Sequence, residues 1–271
     1  MKPAPFRYHR PGSLAEALSL LSKLDDAKLI AGGQSLAPMM NMRLVTPAEL
    51  IDLNEIAGLD KIVEADGFIE VGALARHHQV ASSAVIKQHC PLVAVAAATI
   101  GHYAIRTRGT LGGSLAHADP AAQLPLVAAT LAAEIVLAGP RGERRIAARD
   151  FFVSLMATAL EPSEMIVAAR FPKSPPGERH AYLQFSRRSG DFALVAVACT
   201  LRSTRLTIGI GGAEDKPLVF DDLGSLDAQS VAQAVRKRVS PAENPRVPAL
   251  FRKELVEVLT RRAIQKCLSS N

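Results

Sequence analysis

The chain has 271 residues, a net charge of +6 and 48% hydrophobic residues, enough to bury a core in one large domain or in two to three small ones. It has no tryptophan and only 4% aromatic residues, so we expect an aliphatic core, and the composition excludes a disordered or collagen-like chain. The longest apolar stretch, residues 124–138, contains Glu134 and falls short of the roughly 20 residues that a membrane span needs.

The charged residues and the cysteines exclude further classes of protein. The densest basic group, residues 141–149, has no interleaved aromatic side chains to stack on bases, so it indicates a solvated hairpin face rather than a nucleic-acid site. A basic surface that docks an acidic partner remains an alternative. Cys90, Cys199 and Cys267 lie far apart and form no C-x-x-C pair, so no zinc or iron–sulfur ligand set is evident.

The compartment follows from the same features. The first residues lack the apolar segment of a signal peptide, and the sparse, odd number of cysteines argues against a secreted disulfide framework. We therefore expect a cytoplasmic protein with no membrane span, no nucleic-acid partner and no metal site of its own.

The first part of the chain predicts small β/α units. Ser13 with Glu16 three residues later is a capping box ahead of a helix, and buried strands follow at 27–33 and 48–54. Residues 61–73 predict a hairpin that turns at 66–67. Residues 80–100 predict a helical region that breaks near Pro91.

The second part predicts mostly antiparallel strands. A helix is expected from about Asp119, with that residue as its N-cap and Pro120 at N1. A hairpin at 133–148 and a strand at 164–172 follow. Residues 173–180, which hold two prolines and a glycine, are the best candidate boundary. Strands at 181–202 and 205–213 and helices near 225–238 and 248–268 complete the chain.

Two glycine pairs carry the main functional signal. The sequences LIAGGQSLAP at 29–38 and TLGGS at 110–114 each place two glycines beside hydroxyl or amide side chains. Backbone amides without a Cβ in front of them form a concave nest for a phosphate, although an ordinary turn has the same composition. Two such turns suit a diphosphate held between two loops.

The other candidate motifs favour structural roles. IGIGGAE at 208–214 lacks the G-x-G-x-x-G spacing and a following helix, so it indicates a strand end or bulge. His77, His78 and His102 lack a nearby set of cysteine or carboxylate ligands, which disfavours a metal site. His117 with Asp119 suggests an acid–base pair, but the helix cap is the favoured interpretation of the aspartate.

Taken in order, AGGQSL, RGTLGGSLAHADPAAQLP and RRSGDFALVAVA after a proline-rich joint resemble one family over nearly the full length. This family is the FAD-binding medium subunit of molybdenum hydroxylases, the group of aerobic carbon monoxide dehydrogenase and xanthine dehydrogenase. The resemblance implies an α+β fold of the vanillyl-alcohol oxidase type, with two α+β subdomains that hold FAD and a C-terminal domain with a three-stranded antiparallel sheet and helices. The expected boundaries are 1–55, 56–175 and 176–271.

The resemblance also implies a set of cofactor-binding residues and no catalytic residue. The first FAD loop would be residues 29–36 and the second residues 110–114, with apolar contacts and two further polar positions elsewhere. The full set is Leu29, Ile30, Ala31, Gly32, Gly33, Gln34, Ser35, Leu36, Ile100, Thr110, Leu111, Gly112, Gly113, Ser114, Gln123, Ile166 and Gln184.

Two of these positions depart from the better-studied eukaryotic members of the family. Gln123 falls where an acidic residue is common, and Gln184 falls where a lysine lies near the flavin. A neutral amide still forms hydrogen bonds, so FAD binding is compatible with both residues, while the flavin potential or the acceptor preference is expected to differ.

The function implied is electron transfer within a complex. A molybdopterin-containing large subunit would oxidise the substrate, a small subunit with two [2Fe–2S] clusters would relay the electrons, and FAD on this chain would pass them to an external acceptor. Two alternatives stay open, a self-contained FAD-dependent oxidase of the same superfamily and a non-catalytic nucleotide-binding or scaffold protein.

Overall fold

A computed structural model describes residues 1–269, so the last two residues of the third expected domain lie outside the described part of the chain. The helices are α1 (Leu14–Lys23), α2 (Leu36–Asn41), α3 (His77–Ser82), α4 (Ala84–His89), α5 (Pro91–Ala98), α6 (Tyr103–Arg106), α7 (Leu111–His117), α8 (Gln123–Thr130), α9 (Ala148–Phe151), α10 (Ala228–Arg238) and α11 (Ala249–Ser269). The strands are β1 (Arg7–His9), β2 (Ala27–Ile30), β3 (Glu49–Asp52), β4 (Ile62–Ala65), β5 (Phe68–Gly72), β6 (Glu134–Gly139), β7 (Gly142–Ala147), β8 (Phe152–Ser154), β9 (Ala157–Thr158), β10 (Met165–Pro172), β11 (Arg179–Phe185), β12 (Val195–Arg202), β13 (Arg205–Gly211) and β14 (Leu218–Phe220).

The expected α+β architecture is confirmed, with a small parallel sheet at the N-terminus. Its strand order is β1-β3-β2, and β1 and β2 both pair in parallel with the central strand β3. Helix α1, capped by the side chain of Ser13 as predicted, connects β1 to β2. Because parallel strands end at one edge, the segments that follow β2 and β3 emerge side by side, and the first glycine loop is one of them.

The second sheet is antiparallel and includes both predicted hairpins. Its order is β4-β5-β10-β6-β7, so β10 lies between the two hairpins and joins them. Helices α5 and α8 belong to the core that this sheet covers, and every residue of α8 is buried. A helix that is apolar on all sides requires partners on all sides. Its further partner is the C-terminal sheet.

The C-terminal sheet runs β11-β12-β13-β14, so the three expected antiparallel strands are joined by a short fourth one. Alternate residues of β12 face opposite ways. Val195, Val197 and Cys199 belong to a core with α10 and α11, whereas Ala196 and Ala198 belong to the core with α8. Side chains alternate along a strand, so a fully apolar sequence here reflects a sheet covered on both faces.

The IGIGGAE motif has the structural role expected of it. On β13, a Cβ at Gly209 would lie 1.9 Å from Thr130 Oγ1, and one at Gly211 would lie 3.1 Å from Leu126 Cδ2. The glycines therefore let the sheet approach α8 closely. This contact connects α8, which precedes the candidate boundary at 173–180 (the 173–180 joint), with β13, which follows it.

One local expectation was wrong and one was incomplete. The helix expected from Asp119 begins instead at Gln123, because Asp119 Oδ1 accepts from the Ala121 amide at 2.8 Å and closes a turn ahead of the helix. The break expected near Pro91 is confirmed, since Cys90 ends α4 and Pro91 begins α5, but Ser83 adds a second break between α3 and α4.

We expect Gly209→Ala to lower the free energy of unfolding by about 1–3 kcal/mol, the usual cost of overpacking a close contact. Urea denaturation measures this change. Gly12→Ala is the matched control, because nothing lies within 4 Å of a Cβ at that position. Equal stability of the two variants would contradict the close approach of β13 and α8.

Candidate functional site

A cleft of about 890 Å³ lies beside the two glycine loops. We call it the central cleft, and its walls include the first glycine loop (residues 29–36), parts of residues 156–164 and residues 190–192. The second glycine loop, taken here as residues 109–114 to include Gly109, lines it through Gly109, Thr110, Gly113 and Ser114. Its size falls within the range of roughly 300–1,000 Å³ that is usual for sites of cofactors and small molecules. The predicted residues that line it are Leu29, Ile30, Ala31, Gly32, Gly33, Gln34, Ser35, Leu36, Ile100, Thr110, Gly113, Ser114 and Gln123.

The first glycine loop offers free backbone donors to the cleft. Gly33 has a φ of +69°, a conformation that favours glycine, and Gln34 Nε2 donates to the Gly32 carbonyl at 2.9 Å. Within residues 1–269, the amides of Gly33, Gln34 and Ser35 donate to no protein acceptor. Half-buried amides without a partner are suited to an anionic ligand.

Gly32 has a different role from Gly33. A Cβ at Gly32 would lie 2.0 Å from the carbonyl oxygen of Arg108, which immediately precedes the second glycine loop. Only glycine permits this contact, so the two loops touch each other directly.

The second glycine loop is less available than the sequence indicates. The amides of Leu111 and Gly112 donate to the carbonyls of Ala75 at 2.9 Å and Ala73 at 2.8 Å. Leu111 is a core residue, and a Cβ at Gly112 would lie 2.6 Å from Ala73 Cβ. These two residues fix α7 against the segment after β5 and are not among the residues that line the central cleft, so their predicted contact with the cofactor stays a prediction.

Thr110, Gly113 and Ser114 remain on the cleft wall. Thr110 is the N-cap of α7, and its Oγ1 accepts from the Gly113 amide at 3.1 Å. A Cβ at Gly113 would meet only that hydroxyl, because the residue is exposed on its other sides. The hydroxyls of Thr110 and Ser114 are the donors that this loop presents.

Gln123 and Gln184 meet each other although they lie on different sides of the 173–180 joint. Gln123 Nε2 and Gln184 Oε1 are 3.3 Å apart, and the hydroxyl of Tyr182 donates to the same oxygen at 2.9 Å. Gln123 is buried at the wall of the central cleft, whereas Gln184 opens into a smaller neighbouring pocket. The resemblance places both residues at the flavin, and the structure brings their amides together.

The two residues predicted to make apolar contacts with the cofactor, Ile100 and Ile166, lie in different parts of the structure. Ile100 lines the central cleft, while Ile166 lies within β10 at 5% exposure and is not among the residues that line the cleft. Ile166 belongs to the core cluster against which Ile100 packs, and its predicted contact with the cofactor stays a prediction.

His77 is a cleft residue whose role the sequence did not indicate. Its Nε2 lies 2.8 Å from the Thr110 carbonyl, and its backbone amide donates to Gly109 at 2.9 Å, so it holds the second glycine loop. Nδ1 is buried and has no partner among the described residues. Burial, with added repulsion from Arg106 and Arg76, lowers the pKa of His77 to about 4. Nδ1 lies beside Gly109, where a Cβ would be only 2.8 Å away, so the neutral ring supports the second glycine loop from within the protein.

The other histidines lie in separate settings. The His78 ring packs edge-on against Tyr103 with centroids 5.0 Å apart, and His102 lies against Gly190. In residues 1–269, no three His, Cys, Asp or Glu side chains form a group that suits a metal ion.

Residues 190–192 close one side of the central cleft from the C-terminal domain. Gly190 has a φ of +85°, and a Cβ there would lie 2.5 Å from the His102 ring. Asp191 and Phe192 line the cleft, and Phe192 is 59% exposed. The last three residues of the RRSGDF segment therefore contribute to the cleft.

The arrangement suits an elongated ligand with a phosphate group. Free amides line one wall of the cleft, hydroxyls line another, and Ile100 and Phe192 supply apolar surface. FAD has each of these complementary groups: a diphosphate, hydroxyls and a planar ring. The residues present therefore fit this cofactor.

Comparisons with known proteins show the family to which the chain belongs. Residues 4–174 match the family described as the FAD binding domain in molybdopterin dehydrogenase, and residues 180–267 match the CO dehydrogenase flavoprotein C-terminal domain. Among the described residues, no helix has the length and apolar character of a membrane span.

Individual relatives cover nearly the whole chain. The 6-hydroxypseudooxynicotine dehydrogenase complex subunit alpha of Paenarthrobacter nicotinovorans is 37% identical, with 99% of this chain and 96% of that protein covered. The carbon monoxide dehydrogenase medium chain of Afipia carboxidovorans is 35% identical, with 98% of each covered. The structure of reconstituted CO dehydrogenase from Oligotropha carboxidovorans superposes with a TM-score of 0.95 at 34% identity, covering 98% of this chain and 99% of that one.

The lowered pKa of His77 predicts a pH-dependent stability. The unfolded chain binds a proton near the ordinary value of 6.5 and the folded chain only near 4, so this stabilisation is full above pH 6.5 and is lost as the pH falls towards 4. The free energy of unfolding should fall by at most about 3 kcal/mol over that range because of this group. Urea denaturation at several pH values should show a shallower fall for His77→Gln, and identical slopes would contradict the assignment.

Proposed function

Because the chain belongs to the FAD-binding medium subunits of the molybdenum hydroxylases, we propose that it transfers electrons from a [2Fe–2S] partner subunit to an external acceptor. The family is one of oxidoreductases, and its cofactor on this chain is FAD. The observation that carries the proposal is the contact of the two glycine loops over one cleft, with free amides on the first and hydroxyls on the second.

Each part of the cleft has a proposed role in binding. The amides of residues 33–35 and the hydroxyls of Thr110 and Ser114 would hold the diphosphate. Ile100 would pack on the flavin ring, and the amides of Gln123 and Gln184 would face its polar edge. When bound, FAD supplies the redox chemistry, and the protein binds, orients and tunes it.

The partners are proposed from the names of the relatives. One is the medium chain of carbon monoxide dehydrogenase and another is subunit alpha of a dehydrogenase complex, so each belongs to a multi-chain enzyme. We propose a molybdopterin-containing large subunit and a small subunit with [2Fe–2S] clusters as the partners of this chain. The net charge of +6 would favour docking to an acidic surface. The domain limits 1–55, 56–175 and 176–271 and a cytoplasmic location complete the proposal.

Anaerobic mixing of the FAD-loaded protein with candidate substrates tests the subunit role. Carbon monoxide and 6-hydroxypseudooxynicotine, the compounds in the names of two relatives, are suitable probes. The flavin absorbance should persist with the isolated chain and bleach only after iron–sulfur and molybdenum subunits are added. Fast bleaching without partners would instead support the self-contained oxidase, and failure to bind flavin would support the non-catalytic alternative.

Gly113→Val and Gly112→Val should separate binding from folding. A side chain at exposed Gly113 projects into the cleft, so this variant should fold normally and lose most of its FAD. A side chain at Gly112 collides with Ala73, so that variant should lose several kcal/mol of stability. The flavin-to-protein ratio and the thermal unfolding midpoint measure the two effects. Full FAD occupancy in folded Gly113→Val would contradict the placement of the diphosphate.

A further inference from the structure

Two side chains behind the cleft connect the glycine loops to each other. Asn54 Nδ2 donates to the Ala31 carbonyl of the first loop at 2.9 Å. Arg76 Nη2 donates to Asn54 Oδ1 at 2.6 Å, and its Nη1 donates to the carbonyl of Arg108, immediately before the second loop. One guanidinium and one carboxamide thus form a continuous bridge between the loops, which we call the loop bridge.

Both side chains of the loop bridge start from fixed backbone. Asn54 follows β3, and its amide donates to Asp52 Oδ1 at 2.9 Å. Arg76 precedes α3, its own amide donates to Gln79 Oε1 at 2.7 Å, and its backbone pairs with Thr110. Side chains anchored in this way hold the groups they contact at a defined separation.

The bridge acts at a contact that tolerates little displacement. Gly32 already lies against the Arg108 carbonyl, and a Cβ there would be only 2.0 Å from that oxygen. The same carbonyl accepts from Arg76. Loss of the guanidinium would therefore free the Arg108 peptide at the point where the loops meet.

The bridge also brings positive charge to this junction. Burial and the nearby charge of Arg108 lower the pKa of Arg76, while Asp52 and Asp60 oppose that change. Within residues 1–269, neither arginine forms an ion pair with a carboxylate. Asp52 and Asp60 offset part of this charge without a direct ion pair, and the remainder favours an anion in the cleft in front of the loops.

We infer that Arg76, acting through Asn54 and the Arg108 carbonyl, is a positioning residue that sets the separation of the two glycine loops and thereby selects a flavin that carries a diphosphate. Arg76 does not line the central cleft, so it acts on the ligand through the loops and its charge. The inference rests on the proposed FAD site and adds a determinant of its preference for FAD over riboflavin, which has the same ring but no phosphate.

Parallel titrations of the refolded or flavin-stripped full chain with FAD and with riboflavin test this role, with flavin fluorescence as the signal. Arg76→Gln removes the charge and the bridge, whereas Asn54→Ala keeps the charge and breaks the link to Ala31. Arg76→Lys restores a cation. Arg238→Gln is the control, since that arginine pairs with Asp222 on the exposed surface of the C-terminal domain.

We expect Arg76→Gln to weaken the binding of FAD at least tenfold, because hydrogen bonds from a charged donor are lost at the loop junction. Asn54→Ala should also lower the affinity for FAD, and Arg76→Lys should retain part of the affinity that Arg76→Gln loses. Riboflavin affinity and the visible spectrum of FAD bound at saturation should match those of the wild type in all variants.

Unchanged FAD affinity in Arg76→Gln would overturn the inference, as would equal losses for FAD and riboflavin or an altered spectrum of bound FAD. If Arg76→Gln does not fold, Asn54→Ala and Arg76→Lys decide the question by the same criteria. A wild-type chain that binds no FAD would contradict the proposed function itself, so the two failures are distinguishable.

Discussion

The contact between Gly32 and the Arg108 carbonyl is the constraint on which the rest of the site depends. It joins the edge of the parallel sheet, where β2 ends, to the segment that leads into α7. A side chain at residue 32 would separate the two loops and open the cleft between them. The diphosphate site that we propose therefore depends on the contact of two loops that lie far apart in the sequence, and neither loop forms it alone.

The glycines of the two motifs have four different roles despite their similar surroundings in the sequence. Gly32 permits contact between the loops, Gly33 adopts a positive φ, Gly112 packs α7 against Ala73, and Gly113 leaves the cleft open. Two of the four are explained by protein packing without any ligand. The composition of such a motif thus reflects its scaffold as much as its cofactor, which is why single glycine motifs are weak signals of function.

Local patterns in the sequence predicted the longer strands and both hairpins, because hydrophobic alternation and turn residues act over short distances. The short strands β1, β8, β9 and β14 were not predicted, and most of the expected loop at 110–114 forms the first turn of α7. Other features depend on distant partners. Arg76 reaches Asn54 and Arg108, 22 and 32 residues away, and nothing near Arg76 in the sequence marks that role. The hydrogen bonds of Leu111 and Gly112 were equally hidden, since their amides meet Ala75 and Ala73 only in the folded chain. The order of the motifs indicated the family, but the family resemblance did not indicate these contacts.

The amides of Gln123 and Gln184 form a hydrogen bond although residues 173–180 separate them in the sequence. The site therefore draws on residues from both sides of that boundary. Gln123 begins α8, whereas Gln184 and Tyr182 lie on β11 of the C-terminal sheet. Burial raises the pKa of the Tyr182 hydroxyl, so this donor to Gln184 stays protonated and neutral. The polar groups that we propose for the flavin ring are thus uncharged and come from both sides of the joint. Docking of β13 on α8 through Gly209 holds these groups together, so the packing of the C-terminal sheet contributes to the environment of the cofactor.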